Sequence, residues 1–381
     1  MSVGETLAVI PLIERLLAER PDLRVLITST TPTGADQVQQ KLGNSVDWDW
    51  APFDTPGAVK RFFDHWHPAL SAFVETEIWP NTLTQAAARG VPTVLLNARM
   101  SARSARGYAR LASLTRHTLA QFSAVAAQHP ADARRLKVLG VKPEALTVTG
   151  SLKFALDVDA LRRAGLSERA LLGPGGAGRP TWLAASTHPG EEVIVLEAFS
   201  KLKSVLPAAL LILAPRHPER VASVLTLPEI APYRVVRHSA LRAAQADDGD
   251  PGSALVAEDD IVVVDSLGHL GAITGCADVV LIGGSLVPHG GHNPLEAAAW
   301  QLPIMTGPHT FNFARIYRDL FKQAAAIRVD ADSLTAAVVS LLADEAGITK
   351  AAEMGRRAQA YQLSQGDVLG RQWAVLSAHL P

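Results

Sequence analysis

The sequence predicts an α/β protein built as two similar-sized halves, each a parallel sheet with helices on both faces. Three observations predict it. Short apolar runs alternate with amphipathic stretches along all 381 residues. Those runs are apolar throughout rather than alternating, as strands buried on both faces are. A Gly/Pro cluster interrupts the rhythm near the middle, as a linker does.

The elements follow in order. Thr6–Arg20 reads as a helix, because Leu7, Ile10, Ile13, Leu16 and Leu17 share one face. Leu23–Thr28 is a strand, and Thr31-Pro32 starts the next helix. A helix near Pro56–Trp66 leads to strand Leu70–Glu75, and a helix from Pro80 leads to strand Thr93–Asn97. Ser101 caps a helix, and Ala124–Gln128 is the next strand. The Gly165–Pro180 stretch holds Gly173-Pro174-Gly175-Gly176 and Gly178. The expected organisation is residues 1–160, a linker at 161–180, and residues 181–381, with the last helices free to pack back on the first half. In the second half Thr181–Ala185, Leu210–Ala214, Arg234–Val236, Ile261–Val264, Val279–Ile282, Ile304–Thr306 and Ala326–Val329 read as strands. Ala244–Asp260 is polar and reads as a surface loop. Open α/β sheets bind ligands beyond the carboxyl ends of their strands, so the site is sought there.

Composition narrows the function. With 36 Lys+Arg against 37 Asp+Glu, net charge gives no footing for a general nucleic-acid binder. Lone Cys276 cannot form an internal disulfide or share a thiolate metal cage, which fits a reducing compartment. No run of about 18 apolar residues spans a membrane. Charge is uneven, however: residues 1–155 hold 17 Lys+Arg and 13 Asp+Glu, and Ile78–Ala131 holds no acid. Arg99, Arg103, Arg106 and Arg110 are spaced to share a helical face. Either that face is ordinary solvated surface, or it meets phosphates or an anionic membrane.

Leu281–His309 is the densest candidate region. It turns on Gly283-Gly284-Ser285, adds Gly290-Gly291, and starts a helix at Asn293-Pro294 with Glu296 in its first turn. Adjacent glycines let backbone N–H groups approach a phosphate, and a helix start favours its charge. The competing reading is a capped Gly-rich turn. His289 and His292 lack a nearby Cys or Asp to complete a ligand set, so no metal is assigned. Arg216 and His217 follow one strand and Ser186-Thr187-His188 follows another, the latter reading equally as a helix cap. In the first half, Glu75 and Glu77 stand at a strand tip, where carboxylates serve acid or base chemistry. By spacing alone Glu5 is an ordinary first-turn acid.

Taken together, Ser2-Val3-Gly4-Glu5, Glu75-Thr76-Glu77-Ile78-Trp79-Pro80-Asn81, Asn97-Ala98-Arg99, Thr149-Gly150-Ser151-Leu152-Lys153-Phe154, Ala214-Pro215-Arg216-His217-Pro218-Glu219 and Gly283–Glu296 occur in one order. The chain closely resembles the 3-deoxy-D-manno-octulosonic acid (Kdo) transferases of lipid A assembly, over nearly its whole length. The resemblance implies a GT-B-type glycosyltransferase fold, with two Rossmann-like domains facing across a cleft. It implies a CMP-Kdo donor, a lipid A precursor (lipid IVA) acceptor, inversion at the anomeric carbon and no cofactor or metal. Glu5 is implied as the general base, and Glu77 as a second catalytic acid group. Arg216, His217, Ser186, Gly283, Gly284, Ser285, Asn293, Glu296 and Lys153 are implied on the donor side. Arg99, Arg103, Arg106 and Arg110 are then expected to meet acceptor phosphates or an anionic membrane surface, at the cytoplasmic face of the bacterial inner membrane. A UDP-sugar transferase or epimerase, and a non-catalytic anionic-lipid binder, are the competing readings. The number of Kdo units and the oligomeric state stay open. Family members carry a membrane anchor and a first strand running into the Ser-Val-Gly-Glu motif. Both are expected to be missing here, which would open the sheet and leave apolar helix faces uncovered.

Overall fold

The protein is described by a computed structural model covering residues 3–176, 178–246 and 255–381, with side chains for all of these except 3–5, 7, 173–175 and 245–246. Its strands are β1 (Leu26–Ser29), β2 (Asp47–Trp50), β3 (Ser71–Val74), β4 (Thr93–Ala98), β5 (Ala124–Ala127), β6 (Leu146–Val148), β7 (Thr181–Thr187), β8 (Leu210–Pro215), β9 (Val235–Arg237), β10 (Ile261–Val263), β11 (Val279–Ile282), β12 (Ile304–Thr306) and β13 (Ala326–Arg328). Every ladder is parallel, including the two edge strands β2 and β6 that the sequence reading missed. Those two are short. Asp47-Trp48-Asp49-Trp50 is no apolar run, and β6 leaves Thr147 and Val148 exposed, so neither carries a buried-strand signature.

The first compact unit runs to Ala155 and takes in Gln365–Pro381; the second is Leu156–Ser364. The first unit holds a sheet of order β3-β4-β5-β6 and a separate pair β1-β2. Strands β4 and β5 are buried at every position, as their Val, Leu and Ala content requires. Thr31 caps helix Pro32–Leu42 by accepting the Gly34 N–H at 3.2 Å, with Pro32 in the first turn. A cavity of about 520 Å³ borders both β1 and β3, lined by Val9, Leu12 and Ile13 of helix Val3–Glu19, Ile27 of β1, Phe63 and Val74.

Helix Val368–Ser377 packs on β4 and β5. Its Gln372 is fully buried and spends its whole amide on the first unit. Oε1 accepts the Asn97 N–H at 3.1 Å, and Nε2 donates to Thr149 Oγ1 at 2.7 Å and to the Gly150 carbonyl at 3.2 Å.

The second unit is a seven-stranded sheet of order β13-β12-β11-β7-β8-β10-β9. Helices Glu191–Val205 and Ala331–Ala343 pack together over one core around Trp182, Phe199, Leu211 and Leu281. The expected linker at 161–180 is corrected: Val158–Gly176 is helical and belongs to this unit. Gly165 is a packing glycine rather than a hinge, since a Cβ there would lie 2.4 Å from the Trp300 ring. Residues 247–254 of the expected surface loop lie outside the described residues; its flanks at 244–246 are helical.

Candidate functional site

In the second unit the neighbouring strands β11, β7 and β8 point the same way, so the loops at their carboxyl ends converge. Those loops carry Gly283 to His292, Ser186 to Glu192, and Arg216 to Arg220. The arrangement turns on Glu191, which opens helix Glu191–Val205 and is fully buried. Its carboxylate accepts N–H groups from His188 at 2.9 Å, Gly284 at 2.6 Å, Ser285 at 2.9 Å and Leu286 at 2.8 Å.

This corrects the phosphate-cradle reading of Gly283, Gly284 and Ser285. A protein carboxylate already occupies the amides of Gly284 and Ser285. The Gly283 N–H donates to the Ala185 carbonyl at 2.7 Å, and Ser285, fully buried, bridges the Ile282 carbonyl and the Gly307 N–H. The glycines are needed for packing. A Cβ on Gly283 would sit 2.4 Å from the Ser186 carbonyl oxygen. Gly284 has a φ of 65°, and a Cβ there would press on the rings of His292 and His188. Ser186 itself is held at a φ of 56° and nearly buried, its carbonyl against Gly283.

Those rings form the centre of the loop cluster. His188 Nε2 and His292 Nε2 lie 2.8 Å apart, and His289 stacks on His188 with centroids 4.2 Å apart. His217 meets His188 edge-on at 6.1 Å. Burial first, then the neighbouring histidines and Arg216, push His188 and His292 down to about 4. Both are therefore neutral near pH 7. Arg216 is partly exposed beside them, and no ion-pair partner holds its side chain among the described residues.

A small pocket is lined by Ser186, His292, Asn293 and Glu296. Burial raises the Glu296 carboxyl above its ordinary value. Asn293 Oδ1 accepts the Leu295 N–H at 3.2 Å, so Asn293 is itself committed to the turn. The helix runs only from Leu295 to Ala299, with Pro294 as its N-cap rather than its first residue.

In the first unit, Glu5 lies on helix Val3–Glu19, but its side chain is outside the described residues. Glu77 accepts the Trp79 indole N–H and lines the apolar cavity. Glu75 and Asn97 adopt positive φ values of 63° and 50°, a costly conformation held by the surrounding network. Asn97 Oδ1 accepts the Leu152 N–H at 3.0 Å, which ties the Gly150–Phe154 turn to β4. Lys153 on that turn is depressed by burial, although Glu75 beside it acts to raise it. Ser101 accepts the Ser104 N–H at 3.0 Å and starts the helix at Ala102, ending it at Ala109. Arg103 and Arg106 therefore lie on this helix, Arg110 caps it, and Arg99 precedes it; the four do not form one helical face. All four are exposed, with Leu111 and Leu114 exposed just beyond.

Comparison with known proteins decides the family. A profile described as 3-Deoxy-D-manno-octulosonic-acid transferase (kdotransferase) matches residues 1–156. The 3-deoxy-D-manno-octulosonic acid transferase of Haemophilus influenzae is 38% identical over 344 residues, covering 90% of this chain and 77% of that protein. The chain belongs to the Kdo transferase family. A second family member, from Bordetella pertussis, is 37% identical over 356 residues, covering 91% of this chain and 79% of that protein. Among solved structures, HepE of Anabaena in complex with UDP has a TM-score of 0.58 at 13% identity, over 98% of this chain and 95% of that one. A UDP-N-acetylglucosamine 2-epimerase has a TM-score of 0.55 at 13% identity, over 94% and 91%. At such identities the likeness concerns the fold alone, which is GT-B: two Rossmann-like units.

Sequence reasoning missed several residues that organise this Kdo transferase. Glu191 and Glu192 stand in the first turn of their helix, where acids are ordinary, yet Glu192 is buried and holds Arg220 at 2.8 Å and the Thr187 hydroxyl at 2.9 Å. The one signal was their place right after His188. Glu168, His238 and His269 bring three ligand-type atoms within 4.8 Å. Glu168 Oε1 is already met by Arg242 at 3.1 Å and Oε2 by His238 at 2.7 Å, so the group reads as a buried carboxylate whose oxygens are both taken. No local spacing announces it.

Proposed function

We propose that the chain is an inverting glycosyltransferase that moves Kdo from CMP-Kdo to a lipid A precursor (lipid IVA) at the cytoplasmic face of the inner membrane. The observation that carries the donor side is the convergence of Arg216, the His188–His292 pair and Glu296 beyond the ends of β8, β7 and β11. In this reading the acceptor hydroxyl loses its proton to Glu5 and its oxygen attacks the anomeric carbon of Kdo. The bond from that carbon to the phosphate oxygen breaks, and CMP leaves with the electron pair. Glu77 is the alternative base. Charge on the leaving phosphate is met by Arg216 and the adjacent imidazoles, and such fixed cations and donors supply the stabilisation without a divalent metal. The Gly284 and Ser285 amides are not used, because Glu191 holds them. Glu296 accepts from ribose hydroxyls. Lys153 or Arg216 is the cation for the carboxylate of Kdo. The exposed Arg103, Arg106 and Arg110 meet acceptor phosphates or anionic headgroups.

The test is incubation with CMP-Kdo and a tetraacylated lipid A precursor, followed by mass measurement of the lipid and of released CMP. A product heavier by one or more Kdo units supports the reading. Lipid binding with no CMP release sinks it in favour of a non-catalytic lipid binder.

A further inference from the structure

The rings of His188 and His292 are related in an uncommon way. Their planes lie within 7° of parallel, their centroids are 5.1 Å apart, and their Nε2 atoms are 2.8 Å apart. A centroid separation equal to the Nε2 contact plus one ring radius at each end puts the rings head to head in one plane. They are hydrogen-bonded, not stacked. Such a contact holds one proton. Two Nε2–H groups would collide, and two bare lone pairs would repel. The pair is therefore neutral, with one ring Nε2–H and the other Nδ1–H, or a single cation sharing one Nε2 proton with both Nδ1 atoms protonated.

We propose that His188 and His292 act as one proton-sharing unit that binds the anionic group of the nucleotide donor by taking up a proton, so that the pair is cationic when loaded and neutral when empty. This rests on the donor reading above. The charges facing the pair favour that behaviour. From the loop after β8 come Arg216, His217 and Arg220; from the Gly283–Asn293 loop comes His289, stacked on His188; from the short helix comes Glu296. Helix Glu191–Val205 contributes Glu191 and Glu192, but Glu191 is turned to backbone amides and Glu192 to Arg220 and Thr187. Burial first, and then these neighbouring cations and imidazoles, keep the pair neutral in the empty site. A phosphate between Arg216 and the pair reverses that balance. Gly284 is the residue that leaves room, since a Cβ there would lie 3.1 Å from the His292 ring and 3.3 Å from that of His188.

The experiment is titration calorimetry of the full chain with CMP at pH 6.5 and 7.5, in buffers of different ionisation enthalpy, with cytidine as the uncharged control. The phosphate of CMP has its own second ionisation near pH 6, but cations pull protons off it, so its contribution has the opposite sign. The wild type should take up as much as about one proton per CMP, with Kd tightening by up to about tenfold from pH 7.5 to 6.5. His188→Gln and His292→Gln should each bind CMP more weakly and lose the uptake. CMP binding without proton uptake, or with uptake unchanged in both variants, overturns the inference and leaves the donor reading intact. Absence of CMP binding in the wild type overturns the donor reading itself.

Discussion

The buried carboxylate of Glu191 accepts the backbone N–H of Gly284 at 2.6 Å, joining the start of one helix to the glycine loop beyond the neighbouring strand. This contact explains why a loop that looks built for phosphate is closed to it. Glu191→Gln turns an NH₂ group toward backbone donors and leaves at least one of them unpaired. Hydrogen bonds to a charged acceptor are worth about 1.5–3 kcal/mol each, so a loss of about 3 kcal/mol is expected in urea unfolding, together with weaker CMP binding. Wild-type stability would show that the carboxylate is replaceable.

Gly165→Ala separates a packing glycine from a linker glycine by sign. In a free helix, alanine would stabilise by up to about 1 kcal/mol. Against the Trp300 ring, 2.4 Å from the new Cβ, overpacking should cost about 1–3 kcal/mol. Adding Trp300→Leu should recover part of the loss if the clash is the cause, although the Trp300 hydrogen bond to the Gly271 carbonyl at 2.8 Å goes with it.

Gln372→Leu preserves volume but leaves the Asn97 N–H without its acceptor, while the Thr149 hydroxyl keeps the Ala127 carbonyl at 3.3 Å and the Gly150 carbonyl keeps the Thr149 hydroxyl at 3.4 Å. Each buried group left unpaired costs about 1–3 kcal/mol. The first unit should lose about 1–3 kcal/mol, and the Asn97 amide should exchange hydrogen faster than its neighbours in β4. Unchanged protection at Asn97 would mean that the helix Val368–Ser377 does not hold this strand.

Acid stability should carry the mark of the histidine pair. His188 and His292 are held at about 4 in the folded chain, against about 6.5 when unfolded. Below pH 6.5 the unfolded chain binds protons that the folded chain refuses, so stability falls as pH drops from 6.5 toward 4 and is unaffected above that window. His292→Gln removes one of these groups. Its Tm should decline less than that of the wild type between pH 6.5 and 5, and parallel declines would contradict the burial of the pair.

Arg103 and Arg106 are exposed on the helix Ala102–Ala109. Near an anionic surface each basic residue contributes about 1 kcal/mol. Replacing both with Glu should weaken co-sedimentation with anionic vesicles at least about tenfold and flatten its salt dependence, with CMP binding unchanged. Equal vesicle binding by variant and wild type would remove the membrane role from this face.

Most strands were legible because β4, β5, β7, β8 and β11 are mainly apolar and buried at every position. The edge strands β2 and β6 were not, since an edge needs no such run. The helix Val158–Gly176 hid behind its glycines, and the reason for Gly165 lies in Trp300, far along the chain. Arg216 and Glu296 were legible as polar groups beyond strand ends. Glu191 was not, because an acid at a helix start has an ordinary local explanation.

The sequence by itself determined the α/β class, the rank of strands and the ordered motifs that mark a Kdo transferase, since these follow from local periodicity and residue type. Only the tertiary structure decided which groups meet. His188 and His292 are 104 residues apart, and Gln372 reaches Asn97 across 275. The meeting of Glu191 with Gly284 depends on β11 lying beside β7. That adjacency is a non-local outcome of sheet order. It turned a loop read as a phosphate cradle into the support for a pair of histidines.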